Sequence, residues 1–327
     1  MKYCLGARRK WAAFFLAAVL FLAGCRGEAA GEAQGEAIEA AWTRGQVMTV
    51  VATERNRYQN VYTEQIWSAA SGIGERDFED ELMEQIRTFF TELTLIGAMA
   101  KEEQLELSGR ETDALNRLAG EYFAQLSGGD REFLQVTQQE IYDLYEAYHR
   151  ANRMVEEMTG QEDLEVSDAQ AKVIHVQQII THDRVLAEDA LAAALQEGAD
   201  FGALVRQYSD GDTGEITMES SQQPDALEEA AFALEQDQVS GIVEQEGAYY
   251  ILKCVDAYDE EATAVRKAQM EEEKRSQVFQ RIYEPFAATH QVNYPDGFWD
   301  GISFAGGESC RTDNFFEMYG EYFGDSR

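Results

Sequence analysis

The chain has 327 residues, 45% of them apolar, which is enough to bury sizeable cores in about two domains and excludes a wholly disordered polymer. Asp and Glu number 61 against 27 Lys and Arg, a net charge of -34, so nucleic acid is a poor partner. The acidity reads as solubility, since no Asp/Asn/Gly loop has the spacing of a calcium site.

Residues 1–24 read as a signal peptide. Lys2, Arg8, Arg9 and Lys10 form a basic start, and Trp11 to Leu22 form an apolar run too short for a membrane span, which needs about 20 residues. The run ends in Leu22-Ala23-Gly24-Cys25. That tetrapeptide resembles the bacterial lipoprotein signal, in which cleavage precedes the cysteine and its thiol is lipidated. The resemblance implies a lipid anchor at Cys25 on the extracytoplasmic face of a bacterial cell membrane. The plainer alternative is an ordinary secretory peptide with an incidental cysteine. Residues 25–46 are rich in Gly, Ala and Glu and read as a flexible tether.

Residues 47–170 are helical in pattern. Leu82, Ile86, Phe89, Leu93 and Ile96 recur at helical steps and share one face. Ser108 with Glu111 and Thr137 with Glu140 have capping-box spacing, and each precedes a further apolar stripe. Phe89, Phe90, Tyr122, Phe123, Tyr142, Tyr145 and Tyr148 read first as core between packed helices. The sharper reading is a cleft for apolar stretches of unfolded clients.

Residues 171–256 change character. Val173 to Ile180 is a β-rich apolar run containing His175. An alanine-rich helix closes at Gly198, and Asp200 caps a short second helix. Asp225 with Glu228 starts a third helix, carrying Ala231-Phe232. Gln238 to Val243 and Tyr249 to Val255 read as strands. The whole is a small α+β module.

This order of pieces resembles the parvulin-type peptidyl-prolyl isomerase (rotamase) domain. With the helical segment before it, the layout is similar to PrsA/SurA-type foldases. The resemblance implies two histidines on adjacent strands, a nearby Cys or Asp, and an apolar clamp for the proline ring. Carried over, the first histidine falls on His175, the Cys/Asp position on Ser209 to Asp212 with Asp210 as the acid, and the clamp on Ile216 and Leu227. The second histidine position falls on Tyr250, and the methionine position on Gln223. His175 also has a plain reading, a strand histidine whose ring nitrogens bond its neighbours. The resemblance brings no cofactor, and His175 with His182 lack the further ligands a metal needs.

Residues 257–292 form a charged helical stretch with an apolar stripe at Val265, Ala268, Val278, Ile282 and Phe286, and a break expected at Pro285. The resemblance implies that this helix packs back on the first module. The tail, 293–327, holds Phe298, Trp299, Phe304, Phe315, Phe316, Tyr319, Tyr322 and Phe323, either as a contact for a partner or as a strap over apolar surface. A Cys254–Cys310 bridge is open from sequence alone.

The fold class expected is α+β: an all-α chaperone-like module completed by a C-terminal helix, plus a small parvulin-like domain. Three functions follow. One is a lipid-anchored foldase with isomerase activity toward unfolded or newly exported proteins. The second is a non-catalytic holdase with a degenerate rotamase site. The third is a structural envelope lipoprotein with one fixed partner.

Overall fold

The computed structural model describes residues 35–63, 66–67, 77–160, 162–211 and 214–324. Cys25 and the signal peptide lie outside the described residues. The chain divides into two compact units, one built from residues up to Glu162 and from Ser276 onward, the other from Asp163 to Arg275.

The first unit is helical. Its long helices are α1 (Arg44–Tyr62), α2 (Phe78–Glu102), α3 (Gly109–Gln125) and α5 (Gln138–Thr159), with a short α4 (Gly128–Leu134) between the last two. Both expected capping boxes form, at Ser108 with Glu111 and at Thr137 with Glu140. Helix α1 has apolar Val47, Val50 and Val51 and polar Thr49, Glu54, Arg55 and Asn56 all buried. A helix buried on every side must pair its polar groups internally. Thr49 and Thr53 hydroxyls donate to carbonyls one turn back. Arg55 donates to the carbonyls of Phe304, Gly306 and Gly307, and Asn56 to that of Thr312.

Those acceptors lie in the tail, which resolves its two readings. Phe304, Cys310, Phe315, Phe316 and Tyr319 are buried in the same core as Phe89, Phe90, Tyr122, Tyr145 and Tyr148. Tyr145 and Phe315 stack with centroids 4.0 Å apart, and Tyr145 donates from its hydroxyl to the Phe315 carbonyl at 2.9 Å. The tail, ending in α11 (Phe315–Phe323), is a strap. The aromatic rings are core, with Phe123 and Tyr142 only partly buried.

Three expectations are corrected. Residues 35–46 are not free tether: β1 (Glu36–Glu39) pairs in parallel with β6 (His290–Asn293), and α1 starts at Arg44. The helical first unit thus also carries this two-stranded pair. Pro285 does not break its helix, since α10 runs Glu260–Thr289 through it. Proline removes one ladder bond, but Phe279, 1% exposed, and partly buried Tyr283 and Phe286 hold the helix to the core. Phe279 rather than Val265 or Ile282 is the buried anchor; those two are 54% and 37% exposed.

The second unit is a four-stranded antiparallel sheet of order β3-β2-β5-β4, made of β2 (Val173–Thr181), β3 (Glu215–Glu219), β4 (Val243–Gln245) and β5 (Ala248–Asp256). Helices α7 (Arg184–Ala194) and α8 (Phe201–Tyr208) cover one face, where Ala190, Ala194, Phe201 and Val205 bury against Ile179 and Ile251. Helix α9 (Ala226–Phe232) lies on the other face, where Ala231 buries against Ile174, Val176, Leu252 and Cys254. A one-turn α6 (Asp168–Ala171) precedes the sheet. Cys254 and Cys310 are both buried free thiols, so the bridge is absent.

Candidate functional site

The face of the sheet beneath α9 collects most of the expected site. Ile216 and Leu227 are half-buried against Ile174, Val176, Leu252 and Cys254. Successive strand residues alternate faces, so Tyr250 shares the side of Leu252, two residues on. Across the ladder Val176 stands opposite Cys254, Gln178 opposite Leu252 and Ile180 opposite Tyr250. Gln178 and Ile180 therefore belong to this face too. Gln178 and Tyr250 are diagonal neighbours, at a spacing of roughly 7–8 Å that long side chains span.

His175 lies on the other face. It stands opposite Thr217, whereas Val176 stands opposite Ile216, and the pairing with β5 shifts between His175 and Val176. Its ring meets Asp259 Oδ2 from Nε2 at 2.8 Å, Thr217 Oγ1 from Nδ1 at 3.3 Å and Glu215 Oε1 at 3.8 Å. An ionised carboxylate only accepts, so Nε2 is the donor to Asp259. Asp259 also accepts from the Ala262 N–H, capping α10. That backbone bond, then the His175 ring, hold its carboxyl below the usual range. His175 thus ties β2 to the start of α10, and the β2 residues that share the face of Tyr250 are Val176, Gln178 and Ile180.

Asp210 flanks the site on the far side of Ile180 from Tyr250. Its N–H donates to the Ile180 carbonyl at 2.8 Å, and Ser209 Oγ accepts from the Ile180 N–H at 3.0 Å. Its carboxylate accepts from the His182 N–H at 2.8 Å and meets His182 Nδ1 at 3.0 Å. The His182 ring, then its backbone N–H, hold the Asp210 carboxyl low. Asp210 is a charge at the rim, already engaged by His182.

The clamp helix is pinned from β4. Gln245 accepts from the Leu227 N–H at 3.3 Å and donates to Asp225 Oδ2 at 3.0 Å. Asp225 in turn accepts from the Glu228 N–H at 2.8 Å as the α9 cap. Met218, opposite Ile174, packs on the same apolar cluster as Ile216. It supplies a thioether to this face although the expected methionine position is Gln223. Gln178 and Met218 escaped the sequence reading; the signal for both was strand alternation counted from Val176 and Ile216.

Half-buried Ile216, Met218 and Leu227 pack on one apolar cluster of this face. The Gln178 amide and the Tyr250 hydroxyl add neutral hydrogen-bonding groups. Among the described residues no group of three or more His, Cys, Asp or Glu is gathered as a metal would need, and no helix is long and apolar enough to cross a membrane.

Residues 184–256 match the rotamase family, described as the PPIC-type PPIase domain. Over 134 residues the chain is 35% identical to the foldase protein PrsA of Streptococcus gordonii, covering 35% of this chain and 43% of that protein. The chain thus spans less than half the length of the curated relative it matches. Among solved structures, foldase protein PrsA from Streptococcus pneumoniae overlaps at 22% identity and a TM-score of 0.27, covering 74% of this chain and 93% of that one. The peptidylprolyl isomerase PrsA from Bacillus cereus does so at 16% identity and a TM-score of 0.33, covering 73% and 93%.

Proposed function

We propose that the chain is an extracytoplasmic foldase, held to a membrane by a lipid on Cys25, whose rotamase module binds X-Pro segments of newly exported polypeptides. The observation that carries this reading is the coincidence of the rotamase match over 184–256 with one sheet face presenting Ile216, Leu227 and Tyr250. Rotation about an X-Pro bond faces a barrier of about 18–20 kcal/mol from amide resonance. An apolar surface that grips the ring and strips water favours the twisted amide, which has lost that resonance. On this reading Tyr250 bonds the amide as it turns, with Gln178 beside it on the same face.

A proline-peptide isomerisation assay on the purified chain tests this. Turnover that falls in Tyr250→Ala supports catalysis; no turnover above the uncatalysed rate removes the isomerase. Mass analysis of the membrane-extracted protein tests the anchor: an unmodified Cys25 thiol removes it.

A second reading is a holdase whose rotamase module only binds. Two observations favour it: Tyr250 stands where the resemblance implies a histidine, and His175 is bonded to Asp259 on the opposite face of the sheet. Protection of an aggregating client without isomerisation selects this reading, and capture of a single stoichiometric partner selects a structural lipoprotein instead.

A further inference from the structure

The first unit carries a groove of about 410 Å³ that no part of the rotamase reading uses. It is bounded by the C-terminal ends of α2 and α5 and by the later part of α10. Its floor is Met99 and Met154, both continuous with the core, with half-buried Met158 beside them. Phe286 and Ile282, the latter 37% exposed, form the wall. The rim carries Glu102, Glu103 and Glu157, all exposed.

Three thioethers in one groove make an adaptable surface, because methionine is unbranched and polarisable and fits many apolar shapes. The rim is negative for two reasons. The glutamates supply full charges, and α2 and α5 end here, at Glu102 and Thr159, so their dipoles present negative ends. Arg281, on the helix that forms the wall, is paired with Glu162 at 2.7 Å. Lys101, in the last turn of α2, offsets part of this charge, and the groove offers apolar contact inside and a net negative rim around it.

We infer that this groove is a client-binding site selective for apolar segments of unfolded polypeptide flanked by Lys or Arg. This rests on the foldase reading and adds a substrate class to it. Apolar side chains enter over the methionines, and flanking ammonium or guanidinium groups reach the glutamates. An acid-flanked segment of equal hydrophobicity meets repulsion at the same rim.

The test uses the full chain and two labelled, proline-free peptides with the same Leu/Phe centre, one flanked by Lys and one by Glu. Each carries a photo-reactive residue in its centre. Fluorescence anisotropy should show the Lys-flanked peptide binding about tenfold or more tighter, with the difference shrinking as salt rises. Glu102→Lys, Glu103→Lys and Glu157→Lys together should reverse the preference. These positions are exposed, so the variant is expected to fold, and an unchanged circular dichroism spectrum and isomerase rate check that it does. Cross-links should fall on α2, α5 and α10. Equal affinity for the two peptides, a preference untouched by the triple reversal, or cross-links confined to the rotamase module or to residues before Gly35 would each overturn the assignment. Peptide selectivity without protection of an aggregating client would leave the groove standing and remove the foldase reading.

Discussion

The ring of His175 donates to Asp259 at 2.8 Å on the sheet face turned away from Tyr250. Asp259 in turn caps α10, so the histidine connects a central strand to a helix start. His175→Ala should therefore leave isomerisation or proline-peptide affinity within about twofold of the parent. The urea midpoint of unfolding should fall, because the cap of α10 loses a partner. Parallel kinetics and unfolding curves check this; a large loss of turnover at unchanged stability would return His175 to the site.

Gln178 and Tyr250 should behave in the opposite way. Tyr250→Ala removes ring and hydroxyl from the clamp face and should lower kcat/KM toward a proline peptide by roughly 10- to 100-fold. Tyr250→Phe keeps the ring, so the share it restores measures apolar contact alone. Gln178→Ala should reduce kcat more than it raises KM, as expected for a bond made chiefly to the twisted amide. Steady-state kinetics on the three variants separate these effects.

Glu54 should set a pH dependence of stability. Its side chain is 1% exposed, with Arg57 Nη1 at 2.8 and 3.0 Å from its two oxygens. Burial pushes its carboxyl from 4.5 up to about 7, against the pull of Arg57. The unfolded chain ionises first, so the stability present below 4.5 is lost as pH rises through about 7. The loss is on the order of 3 kcal/mol. His149 acts in the opposite sense: burial lowers its pKa from 6.5, so its contribution is lost as pH falls. Comparing the parent with Glu54→Gln by urea unfolding at about pH 5 and about pH 8 isolates the glutamate. The variant should show the smaller loss at high pH.

Asp130 should hold the tail in place. Its Oδ1 accepts from the Arg311 N–H at 2.6 Å and the Thr312 N–H at 3.1 Å. Burial raises its pKa, but the Ser127 hydroxyl and these N–H groups outweigh that and hold it at about 2. Asp130→Ala leaves those donors without their acceptor and should cost about 2–3 kcal/mol. Cleavage by a protease should move to the chain after Phe304. Asp130→Asn, which keeps one acceptor oxygen, should recover part of the loss.

The caps and helical stripes were legible because their signals are local. Ser108 with Glu111 needs three residues of context, and Ala231-Phe232 needs one helix turn. The faces of β2 were not. Val173 to Ile180 is apolar on both sides, so alternation alone does not say which side faces α9. Strand β1 was invisible because Glu-Ala-Ile-Glu has no strand signature and its partner, β6, is some 250 residues away. The tail's aromatics follow no single period. Contacts from distant helices, Arg55 to the Gly306 carbonyl and Tyr145 to that of Phe315, show what they cover.

The strap has a consequence for how the molecule is made. The first unit takes pieces from both ends of the chain, whereas Asp163 to Arg275 is one uninterrupted stretch. A polypeptide emerging amino end first can complete the sheet module while the helices still lack Phe315, Phe316 and Tyr319. Until residues 315–319 arrive, those helices lack the cover that Phe315 and Phe316 give the rings of Tyr122, Tyr145 and Tyr148.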